Sequence, residues 1–575
     1  MTASEHSVLD EPAPKATNMA LVVAASAAGT AFEWYDFFVF VPLAGFIAKA
    51  FSAGLSDTAA LVFALGSFAV GFAFRPVGAL LFGRIGDQLG RKGAFLATVS
   101  IMGGATFLIG CLPSYAAVGL ASPIAFLLLR IAQGIALGGE YGGAAIYVAE
   151  HAPAKKRGLY TSWINSSAAI GLCAALLATL GTRAVLGEAT FAAWGWRVPF
   201  IASLGLLCIS LWIRFKLSES PSFKALKAEG AISKAPYREA FGRWSNLKPV
   251  LVALFSIMVA QGSVWYCVFF YAQVFIERVV KVAPATVNLV MIGVVLASTP
   301  LYVLFGWLSD RVGRKWVMLL GVALTTAAMF PAFSLLERYG NPDMARAAVA
   351  TPVVVVADPA SCSLQFDPLG KAQFRTACDI AKNTLTTMGI GYHSANAAAG
   401  APVQVRVGAQ SVVVADGRSV DAATLTHLKT DTAARIGAIL TTAGYPAGGV
   451  ARHSDPRHLF LVLMGLAVGA TALYGPQAAC LVELFPTRVR YTAMSLPYHI
   501  GTGWVGGFLP ATAYAMVISS GNLLFGLWYP VVGGVIAIVV GVLFLPETRG
   551  RDLNADTATR NGRTGKTRST ARGYS

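Results

Sequence analysis

Charge is what this sequence has least of: 28 acidic residues stand in 575, and all charged residues together make up 13%. A soluble domain carries roughly 25%. So few charges cannot cover the surface of a folded body this long, which excludes a soluble enzyme and a soluble nucleic-acid binder. Disorder is excluded as well, because 55% of the residues are hydrophobic and the mean hydropathy is +0.61. The seven cysteines (111, 173, 208, 267, 362, 378 and 480) form no CxxC pair and no metal-ligand spacing. Phosphate-cradling motifs are missing too: there is no GxxxxGK[ST], and no GxGxxG follows a predicted strand. No cofactor or metal is expected. The first eighteen residues hold one Lys and lack the basic-then-apolar order of a signal peptide, so they read as a soluble tail.

Long apolar runs are what the chain has instead. A helix needs roughly 20 such residues to cross a bilayer, and runs recur at 19–48, 58–82, 94–112, 119–149, 158–181 and 195–217. After a basic segment from Arg214 to Lys248, six more follow at 249–276, 286–308, 316–336, 458–481, 491–518 and 524–546. The pattern predicts an all-α polytopic membrane protein of twelve transmembrane helices in two six-helix repeats. Its parts are a tail (1–18), an N-terminal bundle (19–217), a linker (218–248), a split C-terminal bundle (249–336 and 458–546) and a basic tail (547–575).

The split is filled by residues 337–457, too long for an ordinary connection. Alternating runs at Val353–Val356, Val403–Val407 and Val412–Ala415, the last before Asp416-Gly417, predict a small insertion with some β-structure. Lys and Arg cluster in alternate loops, at Arg84, Arg91 and Lys92, at Lys155–Arg157, at Arg311, Arg314 and Lys315, and at Arg488 and Arg490. By the positive-inside rule both termini are cytoplasmic and the insertion lies outside. The net charge of +17 then reports topology rather than nucleic-acid binding. Cys362 and Cys378 alone fall outside the spans, facing an oxidising compartment where a disulfide is expected.

The halves repeat. Gly83-Arg-Ile-Gly-Asp87-Gln-Leu-Gly90-Arg91-Lys92 follows the second run of the first half, and Gly306-Trp-Leu-Ser-Asp310-Arg-Val-Gly313-Arg314-Lys315 follows the second run of the second, offset by 223 residues. An acid beside a Pro ends each half, in Glu219-Ser-Pro221 and Pro546-Glu547. Parallel repeats of this kind build rocking transporters. With its GxxxDxxGRK loops and Arg130-Ile-Ala-Gln133-Gly134, the chain resembles the major facilitator superfamily. Glu33-Trp34-Tyr35-Asp36-Phe37, Arg75-Pro76-Val-Gly78 and Gly138-Gly139-Glu140-Tyr141-Gly142-Gly143 make it similar to that superfamily's metabolite:proton symporters, carriers of 2-oxoglutarate, citrate, shikimate, and proline or betaine. The resemblance covers about 420 residues, all but the tails and the insertion. It implies a bacterial inner-membrane importer of a small organic metabolite driven by protons. It also implies a cytoplasmic latch of Gly83, Asp87, Arg91, Lys92, Asp310 and Arg314, and a role in proton coupling for Arg130.

Charged residues inside spans persist mainly in pairs or beside a wet cavity. Glu33 and Asp36, three apart, share one helix face. Two close carboxylates in a dry site cannot both ionise cheaply, so Asp36 first and Glu33 second are the expected proton carriers. A fixed ion pair for Glu33 is the competing reading. Arg130, Gln133 and Glu140 can line one stripe of the fourth span, with Glu140 either meeting substrate beside Tyr141 or neutralising an Arg. Arg75 is placed to attract an organic anion or to pair with a buried acid. Gln261 and Tyr266 are the seventh span's substrate candidates, against plain packing. His499 reads as a core residue. A carboxylate is the preferred cargo. A sensor that binds its ligand or partner through the insertion is the alternative, and a membrane enzyme the least supported, since the insertion holds no triad.

Overall fold

A computed structural model describes residues 19–52, 70–216, 219–363 and 374–553. The tail expected at 1–18, residues 554–575 of the tail expected at 547–575, and the start of the second run at 58–69 lie outside the described residues. Nine of the described helices are long and apolar enough to cross a membrane.

The first half comprises α1 (Met19–Phe38) and α2 (Phe40–Ser52), α3 (Arg75–Gln88), α4 (Arg91–Cys111), α5 (Ala121–His151), α6 (Arg157–Ala193) and α7 (Val198–Phe215). Two short helices, Pro221–Ala228 and Pro236–Phe241, lead to α8 (Trp244–Val279), α9 (Pro284–Val312) and α10 (Arg314–Gly340). Within the insertion lie α11 (Pro342–Ala350), β1 (Val353–Ala357), α12 (Ala377–Thr387), β2 (His393–Asn396), β3 (Gln404–Val407), β4 (Gln410–Val413) and α13 (Ala422–Thr442). The chain then completes the second half with α14 (Pro456–Leu484), α15 (Arg490–His499), α16 (Leu509–Ser520) and α17 (Trp528–Phe544).

Several boundaries differ from the hydropathy reading, each for a visible reason. The first run is two helices, broken at Val39 before Pro42. Past 181 the α6 segment reaches Ala193 as two helical stretches joined at Gly187, whose non-helical backbone (φ 74°, ψ 160°) glycine permits. Helix α8 begins inside the predicted linker and carries π turns at Leu254–Met258, Gln261–Trp265, Cys267–Tyr271 and Phe275–Val279. Such turns concentrate at functional positions, because each re-aims the side chains that follow.

The insertion is richer than its valine runs. Its sheet has the order β2-β1-β3-β4, with β1 and β2 parallel across α12 and the other pairs antiparallel. Alternate burial along β1 presses Val353, Val355 and Ala357 toward α12, while α13 covers β3 and β4, giving the segment a hydrophobic core of its own. Thr376 and Asp421 cap the two helices through the N–H groups of Asp379 and Thr424. The last predicted strand ends at Val413 rather than Ala415, where Asp416 instead accepts from the N–H of Arg418.

Candidate functional site

The GRK loops build one face of the molecule. In both, the glycine preceding the Arg (Gly90, φ 117°; Gly313, φ 120°) has a backbone conformation that only glycine adopts readily. The chain thereby re-enters a helix at once, and its exposed N–H groups meet an acid. Glu219 accepts from Arg91 N and Lys92 N at 3.1 and 3.2 Å, and Glu547 from Arg314 N and Lys315 N at 2.9 and 3.2 Å. Lys92 and Lys315 reach back to carbonyls in the final turns of α7 and α17, those of Phe215 and Val542. A carboxylate at a helix start and an ammonium at a helix end both complement the macrodipole.

The aspartates cross between halves. Asp87 accepts from Tyr491 N (3.2 Å) and Thr492 N (2.9 Å) at the start of α15, while Arg91 holds it at 2.7 Å. Asp310 accepts from Gly158 N (2.9 Å) and Leu159 N (2.8 Å) at the start of α6, with Arg314 at 2.6 Å. Glycine permits the approach: a Cβ on Gly83 would strike Thr492, and Gly158 and Gly306 lie against each other's backbone. Sequence reasoning missed a second layer. Arg157 pairs with Glu483 and Arg490 with Glu150, each at 2.7 Å, and Arg314 also reaches Glu483. The signal was present as Glu-x6-Arg at 150–157 and 483–490, but its offset of 333 is 110 longer than that of the loops. The insertion hid the repeat. Arg91, Arg157, Arg314 and Arg490, placed by sequence in the loops, are all buried.

A buried polar and aromatic cluster draws on both halves, with an ion pair inside the first. Glu33 meets Arg214 of α7 at 2.6 Å, and that guanidinium lies over the Phe95 ring at 3.6 Å. Arg214 is 1% exposed, although in the sequence it opens the basic linker segment. Asp36 is buried, with Oδ1 lacking a partner among the described residues. Arg75 stacks its guanidinium on Phe72 (4.1 Å) and Phe37 (4.8 Å), faces Tyr266, Tyr474 and Tyr498, and meets no acid among the described residues. Its Nε and Nη2 have no hydrogen-bond partner there.

Arg130 donates to Gln133 (2.8 Å), and Gln133 donates onward to Thr106 (2.8 Å), so Gln133 is engaged as a tether between α5 and α4. Glu140 is buried. Tyr141 stacks on Tyr498 with ring centroids 3.9 Å apart and donates to Asn165, whose amide in turn reaches the Tyr474 carbonyl. Gln261 and Gln477 are buried with amide atoms unpartnered among the described residues, as are both ring nitrogens of His499. Trp265 donates to Tyr302 at 2.9 Å, and Tyr266 stacks with Phe270. Tyr474, Gln477 and Tyr498 were not singled out from sequence, because Tyr and Gln in an apolar run carry no spacing signal. Gly138 abuts the backbone of Arg75 and Gly78, and Gly142 and Gly143 receive Ser495 and Tyr491, so these glycines serve helix approach. Far from this cluster, Cys362 and Cys378 are joined by a disulfide.

Two pseudo-symmetric halves, clasped at one face around a buried polar centre, have the layout of parallel-repeat transporter folds. Comparison with known proteins places it more closely. The family profile described as "Sugar (and other) transporter" matches residues 21–235, 223–357 and 437–557. The chain belongs to that family, within the major facilitator superfamily. It is 33% identical to the proline/betaine transporter of Salmonella typhimurium over 325 residues, 55% of this chain and 64% of that protein's length. It is 27% identical to the glycine betaine/proline/ectoine/pipecolic acid transporter OusA of Dickeya dadantii over 548 residues, 93% of this chain and 85% of the relative. A proton:xylose symporter of the same superfamily shares the fold at TM-score 0.61 and 16% identity, covering 94% of this chain and 98% of that one.

Proposed function

We propose that the chain is a proton-coupled importer of a compact metabolite bearing a carboxylate, with a zwitterion of the proline or betaine type as the best fit. One observation carries this reading: Arg75 is a buried guanidinium without an acidic partner among the described residues, walled by aromatic rings. Its free N–H groups suit a carboxylate. The faces of Trp265, Tyr266, Tyr474 and Tyr498 suit a substituted ammonium, which aromatic cages attract. Gln261 and Gln477 supply neutral amides. The names of the relatives support the same class of cargo.

Asp36 is the proton carrier in this scheme. Glu33 faces Arg214 at 2.6 Å, which leaves Asp36 as the acid of α1 without a cationic partner among the described residues. Arg130 keeps its family role by holding positive charge nearby. Asp36 protonates on the open side, substrate docks on Arg75, and the halves rock. The clasped face is assigned to the cytoplasm from its excess of Lys and Arg. Twelve spans, cytoplasmic termini and an extracytoplasmic insertion then follow, and the Cys362–Cys378 bridge suits that oxidising side.

The test is uptake of labelled proline, betaine and organic acids into proteoliposomes under an inward proton gradient. Accumulation is expected to collapse with a protonophore. Asp36→Asn should bind and exchange substrate without concentrating it. Arg75→Gln should weaken binding about 10- to 100-fold, the range for a charge-assisted hydrogen bond of about 1.5–3 kcal/mol. Accumulation indifferent to the gradient, or unchanged affinity in Arg75→Gln, overturns the proposal.

A further inference from the structure

A second site lies on the lipid-facing surface, beside the seam where α6 meets α9. There the two halves leave a cavity of about 480 Å³ whose lining includes Leu159 and Trp163 of α6 and Thr299, Pro300, Leu304 and Trp307 of α9. Trp163 and Leu304 are 44% and 48% exposed, so the groove opens sideways toward lipid rather than inward to the polar cluster. Nothing polar lines its surface except one threonine, whose hydroxyl is already bonded to the Val295 carbonyl.

The end of the groove nearest the latch is basic. The Arg311 guanidinium lies 4.0 Å from the centroid of the Trp307 ring, which holds it beside the opening. The single turn Ala154–Lys156, carrying exposed Lys155 and Lys156, packs against α9 just ahead of Leu159. Twelve residues separate Arg311 from Thr299, or about 18 Å of helix at 1.5 Å per residue. One leaflet of a bilayer whose hydrocarbon core is about 30 Å thick has similar depth. The groove therefore begins at a cationic headgroup level and runs apolar for one leaflet.

We infer that this groove is a binding site for an anionic phospholipid of the latch-side leaflet, its phosphate among Lys155, Lys156 and Arg311 and an acyl chain along Leu159, Trp163 and Leu304. A zwitterionic lipid fits the apolar part equally but gains nothing from three cations, so headgroup charge is the discriminating feature. The site is also coupled to the latch. Leu159 lines the groove with its side chain while its N–H is held by Asp310 at 2.8 Å. When the halves part at this face, α6 and α9 separate and the groove is lost, so the lipid favours the clasped state by binding only there.

The full chain, purified in mild detergent and mixed with phosphatidylglycerol or phosphatidylcholine of matched chains, is to be examined by native mass spectrometry for retained lipid. Wild type is expected to keep phosphatidylglycerol about tenfold better. Replacing Lys155, Lys156 and Arg311 together with Gln should abolish that preference. Leu304→Trp, which fills the groove and leaves the charges intact, should lower retention of both lipids. Equal retention of the two lipids by wild type, an undiminished preference in the triple variant, or undiminished retention in Leu304→Trp overturns the inference. Because the readout is lipid rather than transport, it stands or falls separately from the cargo and the proton.

Discussion

At the residue scale, the informative groups are buried charges, and partners decide what each can do. Glu33 and Arg214 face one another with 2% and 1% of their side chains exposed. Removing one partner of such a pair strands a buried charge and costs about 3–5 kcal/mol, whereas replacing both with apolar groups is often neutral. Arg214→Met should therefore lower thermal stability sharply in detergent, and Glu33→Leu with Arg214→Met should recover most of it. Equal loss in the single and double variants would contradict the pairing. Gly29 belongs to the same contact, because a Cβ there would lie 2.6 Å from Arg214 Nη2. Little of this was legible in the sequence. Spacing placed Glu33 and Asp36 on one face correctly, but Arg214 sits where a run of apolar residues gives way to lysines, and hydropathy cannot distinguish a buried cation from a loop cation at that border. The competing reading of Glu33 as a fixed ion pair matches its geometry.

At the element scale, helix ends matter more than helix interiors. Glu219 and Glu547 each cap the helix that follows a GRK glycine, and the same carboxylates crowd Gly90 and Gly313. Their proximity to Pro was visible in sequence, yet their role was not, since the residues they cap are more than a hundred positions away. The motif repeat itself was fully legible because its spacing is local. Asp87 joins two N–H groups of α15 to Arg91, so Asp87→Asn weakens the clasped state specifically. Losing a charge-assisted contact of about 2 kcal/mol should move the open-to-clasped ratio about 30-fold toward open. The expected outcome is faster thiol labelling of a cysteine placed at Ser309 on the seam, with substrate binding retained. Unchanged labelling and unchanged transport would count against the latch. Glu547→Gln should act in the same direction but more weakly, by about 1 kcal/mol, because it loosens a cap and leaves the cross-half contacts in place.

At the scale of the whole molecule, the insertion is attached to one half. Asn341 donates to the carbonyls of Val280 (3.1 Å) and Gly449 (2.9 Å), Ala451 N to Lys281 (3.1 Å), and Tyr392 N to Gly521 (3.0 Å). Apart from Gly449, which lies within the insertion, these contacts fall at the ends of α8, α10 and α16 opposite the latch, within the second half. Its valine runs foretold strands but not α12 and α13, whose alanines and threonines give low mean hydropathy and few large apolar positions to mark a helix. A segment bound this way moves as part of the second half when the halves rock. Spin labels at Thr430 of α13 and Leu289 of α9 should keep one distance distribution with and without substrate, in a background lacking Cys111, Cys173 and Cys208. Labels at Thr430 and Val185 of α6 should shift, because Val185 belongs to the first half at the same end of the bundle. The reverse result, a steady Thr430–Val185 distance with a changing Thr430–Leu289 distance, would mean that the insertion hinges away from α8 during the cycle. It would then act as a separate lid over the centre rather than as an extension of the half that carries Gln261 and Tyr266.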